Sequence, residues 1–461
     1  MRVRTVVVPS SVVVCAAFVA ACSGEAPDGA VGKAQSALGC AAQGKELFEN
    51  ALDGTNGRSC ATCHVPSKGF SLRVDDVARR FMNDPNEPLF NVIDSDDPTA
   101  ATPTYDHVKA GLVRVNLTLA DNLDVIDDGG NVITNATRTI AVWRGVPTAL
   151  NTAYTAPFQY DARFATLQIQ ADAALHGHSQ IDHEPDPDQL DDIAAFEETL
   201  FSDHRAQHIA RVIEHGGTPQ EPDYHLTPGS PAAKGQALFQ QACAPCHGTP
   251  TETVITRQDV HDQLFPVIAP DGTVSAMRQP GSVAVATNVR HDPEIHNHHQ
   301  LNIGITFGTV LGQQPGSGIP NLTGVDFPHY RIRFYTDASR SQKLVDLPPL
   351  VPAMGPPPIG PSLGPEPWST DPGRAIISGD PSDWEAFEVP QLRGIKHTPP
   401  YFHDGSAPDL PTVIQFYSLF IVPGIPQLGF PPVVDSGLPN PTKESFTAEQ
   451  KANLLAFLER L

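Results

Sequence analysis

Basic residues are scarce in this 461-residue chain: 30 Lys and Arg stand against 52 Asp and Glu, a formal net charge of -22 at pH 7. A face that holds nucleic acid or an anionic membrane concentrates Lys and Arg, so this balance argues against both partners and leaves the acid excess as a solubilising surface. Long apolar runs are missing as well. Beyond residue 22 no stretch approaches the roughly 20 apolar residues that a membrane span requires. Cysteine is sparse, at seven, and methionine sparser, at four. The length itself exceeds one ordinary core, and about 150 residues per domain predicts two or three.

What is present begins with an export signal. Arg2 and Arg4 precede an apolar run from Val6 to Val19, broken by Pro9 and two serines, and small residues lead to Cys22. "VAAC" at 19–22 resembles the bacterial lipoprotein box, in which the cysteine becomes the lipidated first residue; plain secretion with cleavage near Ala21 is the alternative. Either way the mature chain is expected in the periplasm or cell envelope, with any membrane contact made through a lipid anchor at Cys22.

The cysteines then sort themselves. Cys15 lies in the signal, Cys22 at its end, and Cys40 stands alone. The other four build one phrase twice: Cys60, Cys63 and His64 in "SCATCHVPSKGF" (59–70), and Cys243, Cys246 and His247 in "ACAPCHGT" (242–249). Composition alone yields on the order of 0.004 copies of C-x-x-C-H, so two are not coincidence. Disulfides, zinc or a redox dithiol would also use paired cysteines. The histidine directly after each pair favours two covalently attached c-type haems, the thiols adding across the haem vinyl groups and the histidine ligating iron.

Each phrase follows a similar helical segment, "QGKELFEN" before the first and "KGQALFQQ" before the second, whose Leu47, Phe48, Leu238 and Phe239 can face a haem. The C-terminal "TAEQKANLLAFLERL" carries Thr447 and Gln450 as a capping box, and Leu454, Phe457, Leu458 and Leu461 at i, i+3, i+4 and i+7, which predicts a closing amphipathic helix. The expected fold is mainly α, two cytochrome c-like haem domains with long irregular insertions. The signal takes residues 1–22, the N-terminal domain 23–225 and the C-terminal domain 226–461, parted within the Gly- and Pro-rich 216–231. The first insertion, Val65 to about Trp143, contains strand-like alternation in "GLVRVNLTL". The second, about 250–375, ends in a proline-dense segment expected to run extended over the surface.

Two further stretches, "RGVPTALNTAYTAPFQYDARFATLQIQA" (144–171) and "VPQLRGIKHTPPYFHDGSAPDLPTVIQFY" (389–417), resemble the bacterial di-haem cytochrome c peroxidase and MauG family. With the haem phrases and the closing helix, the likeness covers about half the chain. A haem that only carries electrons needs both axial positions filled, whereas one that cleaves peroxide keeps a position open. The resemblance implies that His64 is the proximal ligand of the reactive iron and His247 that of the relay iron. It implies a second relay ligand fourteen residues after His403, which is Tyr417; tyrosine there marks the MauG-like branch and, as a hard anionic donor, lowers the potential relative to methionine. Met354 is the competing ligand, and a core aromatic is the plain alternative for Tyr417.

Elsewhere the chain departs from the family pattern. The family's distal glutamate falls on Gln180, an amide that cannot exchange protons; His178 and His176 in "LHGHSQ" could supply a base or be surface histidines of a turn. The histidine that blocks the reactive iron in many relatives falls on Arg80, which implies an iron open without prior reduction, with His107 as the next histidine able to swing in. Tyr160 replaces the family's inter-haem tryptophan, either carrying electrons or simply packing. Calcium is implied through the Thr398 and Pro400 carbonyls, but the family's asparagine ligand is Gly145 here, which removes one oxygen. The run from His291 to His299 is rich in ligand residue types, yet its mixed spacing reads as a solvated turn before it reads as a zinc or copper site. The implied activity is a peroxidase-type oxidoreductase, moving electrons from a small donor protein or quinol-linked cytochrome to hydrogen peroxide. A non-catalytic di-haem carrier and a MauG-like oxidase of a protein or organic substrate are the alternatives.

Overall fold

The computed structural model describes residues 30–248, 323–344, 366–422, 428–430 and 444–461, with short strands at 266–268, 274–277, 300–301, 434–435 and 438–439. The export signal with Cys22, the run from His291 to His299 and Met354 lie outside the described residues. The helices are α1 (Ala30–Glu49), α2 (Val74–Asn83), α3 (Asp106–Lys109), α4 (Leu167–Gly177), α5 (Pro187–Glu197), α6 (His204–Glu214), α7 (Pro231–Ala242), α8 (Ala375–Ser378), α9 (Leu410–Phe416) and α10 (Ala448–Leu458). Among the described residues none is long and apolar enough to cross a membrane.

Two helix pairs repeat one packing solution. α1 crosses α5, and α7 crosses α10, each at a glycine. A methyl group on Gly44 would overlap the Asp192 carbonyl and press on Phe196; on Gly235 it would overlap the Asn453 carbonyl and press on Phe457. Only a residue without Cβ permits that approach. Four residues later in each leading helix a phenylalanine meets the same partner: Phe48 and Phe196 have centroids 5.3 Å apart, and so do Phe239 and Phe457. The sequence repeat G-x-x-L-F is thus a repeat of helix crossings.

Local chemistry sets the ends of these helices. α7 starts on Ser230, whose side chain accepts from Ala233 N–H, with Pro231 at the first position; α5 has the box of Asp186 and Gln189; and α10 has the expected box of Thr447 and Gln450. Leu454, Phe457, Leu458 and Leu461 are all buried, as their spacing requires of a closing helix.

The described parts of the two insertions carry strands. "GLVRVNLTL" forms β1 (Leu112–Thr118). β2 (Leu123–Ile126) follows, and β3 (Thr139–Gly145) returns antiparallel to β1 with Leu112 opposite Gly145. Beyond the second haem phrase lie β4 (Pro266–Ile268), β5 (Val274–Met277), β6 (Gln300–Leu301), β7 (Tyr330–Phe334), β8 (Trp368–Ser369) and β9 (Phe387–Glu388). β4 pairs with β5, β6 with β9, and β2, β7 and β8 make one sheet with Leu123 opposite Phe334. The two insertions, read separately from the sequence, therefore build a joint core: Leu117, Leu123 and Val142 from the first pack with Ile332, Phe334 and Trp384 around the second. Neither buries its apolar face without the other.

Candidate functional site

α7 runs directly into its cysteine pair at Cys243, whereas a loop joins the end of α1 at Glu49 to the turn that begins at Cys60. His64 N–H donates to the Cys60 carbonyl at 2.9 Å, and His247 N–H to the Cys243 carbonyl at 2.7 Å, so both phrases adopt the same local fold. Each imidazole is then aimed by its Nδ1–H, which donates to the Phe70 carbonyl for His64 and to the Pro390 carbonyl for His247, both at 3.1 Å. A metal-ligating histidine ordinarily has this second hydrogen bond, which fixes the tautomer that presents Nε2. Burial pushes His64 down to about 4, so the ring is neutral, the form that ligates metal. Cys60, Cys63, Cys243 and Cys246 are free, and burial pushes Cys60, Cys243 and Cys246 up to about 12, keeping them as thiols. Cys40, left over by the sequence, is buried in α1.

A continuous cavity of about 340 Å³ joins the two phrases, with His64 at one end and Cys243, Cys246 and His247 at the other. Its volume falls in the ordinary range for cofactor sites, about 300–1,000 Å³. Tyr417 ends α9 where the helix widens into a π-turn over Tyr417–Ile421, and its hydroxyl lies 3.5 Å from His247 Nε2. Burial raises the Tyr417 phenol above its usual range. Tyr160 and His403 also line the cavity, ring centroids 6.4 Å apart, with His403 stacked on Phe387 at 3.7 Å. Free paired thiols, imidazoles tethered through Nδ1 and a mainly apolar cavity are what a haem at each phrase needs, so the residues present fit two such groups.

Tyr160 is held from behind by a buried ion network. Arg144, at the end of β3, binds Asp371 through Nε at 2.6 Å and Nη2 at 2.9 Å, and Asp161 through Nη1 at 2.7 Å. Asp161, fully buried, also accepts from Arg163 at 2.8 Å, while Arg374 donates to its carbonyl at 2.8 Å. The "YDAR" turn is thereby locked to the segment after β8. Gly145 N–H donates to the His403 carbonyl at 2.7 Å, and its missing side chain would point toward the Tyr160 hydroxyl. Thr398 and Pro400 line the cavity, and the Thr398 hydroxyl donates to the Ile395 carbonyl.

The distal residues expected from sequence are not on the cavity wall. Gln180 is exposed, with φ at 53°, and its Oε1 accepts from Asn56 Nδ2 at 3.1 Å. His178 is half-buried at the end of α4; its carbonyl accepts from the same Asn56 amide at 3.0 Å, and burial lowers its pKa. It lies close enough to His64 for the two imidazoles to oppose each other's charging. His176 is exposed and tied to Asp172. His107 does not swing: Nδ1 bonds Asp96 at 2.6 Å, Nε2 bonds the Asp326 carbonyl at 3.0 Å, and the ring stacks on Trp143 at 4.1 Å. Arg80 instead spans the attachment turn, donating to the Thr62 carbonyl at 2.8 Å and to Glu87 at 2.6 Å.

Three carboxyls on the cavity wall were not singled out from sequence, Glu197, Glu385 and Glu388. Burial pushes Glu197 up to about 8, and raises Glu388 well above the carboxylate range with Asp161 adding to the effect. Glu197 could have been found: "IAAFEETL" in α5 superposes on "LLAFLERL" in α10, placing a glutamate where the repeat has Leu458.

Residues 40–214 match the model of the di-haem cytochrome c peroxidase family. A cytochrome-c peroxidase, IdrP2, of Denitromonas iodatirespirans is 45% identical over 49 residues, which is 11% of this chain and 13% of that relative. A MauG-like protein associated with microbial copper homeostasis has a solved structure similar at a TM-score of 0.40 and 17% identity, covering 92% of this chain and 88% of its own. The diheme peroxidase BthA from Burkholderia thailandensis E264 follows at a TM-score of 0.39 and 15% identity, covering 92% and 86%. The match to the di-haem cytochrome c peroxidase family model takes in Cys60, Cys63 and His64.

Proposed function

We propose that this protein is a peroxidase-type oxidoreductase with two covalently attached c-type haems, its haem units spanning 23–225 and 226–461. The observation that carries the reading is the single cavity that runs from His64 to His247 past Tyr160. When bound, the haems supply the iron that stores and passes electrons and that meets peroxide. The chain's own residues do the rest. Cys60, Cys63, Cys243 and Cys246 tether the two groups, and His64 and His247 hold them through Nε2. Tyr417, 3.5 Å across from His247, closes the relay site against small ligands. On the His64 side Arg80 and His107 are both committed elsewhere, so neither takes the blocking role, which supports a site open without prior reduction. Tyr160, braced by the Arg144 network, offers a redox-capable ring between the two ends. Neither His178 nor Gln180 lines the cavity; His178, whose imidazole bears on His64, is our choice for moving the proton between peroxide oxygens.

Electrons come from a small donor protein or quinol-linked cytochrome, and hydrogen peroxide is the acceptor. The export signal places the protein in the periplasm or cell envelope, lipid-anchored at Cys22. Calcium is the part of the family pattern with least support, because Gly145 supplies no oxygen. Steady-state turnover of peroxide with a reduced donor tests the reading; a doubly haem-loaded protein with no turnover and no cyanide binding at either iron overturns it. The position of Gln180 favours one second reading, a non-catalytic carrier, in which added peroxide leaves the haem spectrum unchanged.

A further inference from the structure

The internal repeat gives Glu197 a defined address. Gly44 against Asp192 and Phe196 corresponds to Gly235 against Asn453 and Phe457, so the residue after the phenylalanine is Glu197 in one unit and Leu458 in the other. Leu458 and Glu197 both line the cavity. The first unit has therefore put a carboxyl where the second keeps an apolar contact. That carboxyl is 7% exposed, and its Oε2 has no hydrogen-bond partner. A buried unpaired acceptor is costly, and the cost falls when the group holds a proton. The backbone carbonyl of the residue accepts from Thr152 and from Leu200 N–H, but no hydrogen bond at Oε2 offsets that cost.

We infer that Glu197 is a proton-coupling group of the first haem site, taking up a proton when that haem is reduced and losing it on oxidation. This rests on the haem reading of Cys60, Cys63 and His64, but not on peroxide as the substrate. The step balances: one electron arrives from the external donor by way of the second site, and one proton from bulk water converts the Glu197 carboxylate to the acid. The electron removes a positive charge from a low-dielectric cavity, which makes a nearby carboxylate harder to keep ionised. Few other groups bear on it. Glu198 follows it on α5 and disfavours its charge, and Cys60 faces it from the attachment turn until its thiol is consumed by haem. α1, α4 and the loop before α4 present Phe48, Ala171, Ala149 and Leu150 to this core. His64 and Gln170 complete that end of the cavity, and His178 bears on His64.

The test is spectroelectrochemical titration of both haems in the full holoprotein across a pH series, with haem content measured first. The first haem should show a midpoint that falls with rising pH around pH 8, where burial pushes Glu197, at a slope approaching about 59 mV per tenfold change in proton activity. In Glu197→Gln the slope should vanish in that window, with the midpoint held at the wild-type low-pH value and the second haem unmoved. Glu197→Leu, which restores the repeat's residue, should behave alike. A redox difference infrared spectrum of the unaltered protein should show a protonated carboxyl appearing on reduction, and that band should be missing in Glu197→Gln. A pH-independent wild-type midpoint, or a slope that persists in Glu197→Gln, overturns the inference while leaving the haem reading intact. Absence of haem at Cys60 and Cys63 overturns the reading on which it rests.

Discussion

Replacing Asp161 by alanine should destabilise the protein by about 3–5 kcal/mol. Asp161 is 0% exposed and accepts charge-assisted hydrogen bonds from Arg144 at 2.7 Å and Arg163 at 2.8 Å. Bonds to charged groups contribute about 1.5–3 kcal/mol each, and breaking a buried pair from one side costs about 3–5 kcal/mol because the surviving charge stays desolvated. Arg144 keeps Asp371, which limits the loss to the lower part of the summed range. Equilibrium urea denaturation of the holoprotein should show a lower midpoint with an unchanged slope. The surface control is Asp75→Ala, whose carboxylate is 61% exposed beside Arg73 and Lys68, and which should change stability by no more than about 1 kcal/mol. The pH dependence has a definite sign. Burial raises the Asp161 carboxyl, but the charges of Arg144 and Arg163 outweigh it and hold it below its ordinary value. A depressed carboxylate stabilises above the ordinary range, about pH 4, and that contribution disappears as pH falls through the folded value. Equal denaturation midpoints for Asp161→Ala and Asp75→Ala would refute the role given to the buried network.

Two other substitutions test the haem sites and their frame. Tyr417→Phe removes the oxygen 3.5 Å from His247 Nε2, and should convert the second ferric haem from low to high spin in electron paramagnetic resonance and open it to cyanide, with the first haem's signal unchanged. Gly235→Val forces β-branched bulk onto the Asn453 carbonyl and Phe457 at the α7–α10 crossing, for which overpacking predicts a loss of about 1–3 kcal/mol, read as a lower thermal midpoint. The same change at an exposed glycine with open space around it, Gly177, should cost far less.

Features written in adjacent residues were legible. The two C-x-x-C-H phrases specify their own turns, since His64 and His247 each bond back to the first cysteine of the pair. The Thr447 box and the apolar face of α10 follow from spacing within one helix, and the alternation of "GLVRVNLTL" within one strand. Even Gly44 and Gly235 announce a close crossing once the two leading helices are aligned. Residues whose surroundings come from distant chain were read less well. His107 looked mobile until Asp96, Asp326 and Trp143 closed on it, and Gln180 looked like a pocket residue until Asn56 drew it outward.

The sequence by itself determined that two tethering phrases exist, that each follows a helical segment, and that the chain ends in an amphipathic helix. Those are short-range facts, carried by covalent order and helical period. Only the tertiary structure decided that the two insertions share a core, that one cavity connects His64 with His247, and that Glu197 rather than Gln180 presents a carboxyl or amide to it. The reason is physical: which side chains face a common cavity depends on how separate helices cross and what they exclude from water, and no local pattern encodes that.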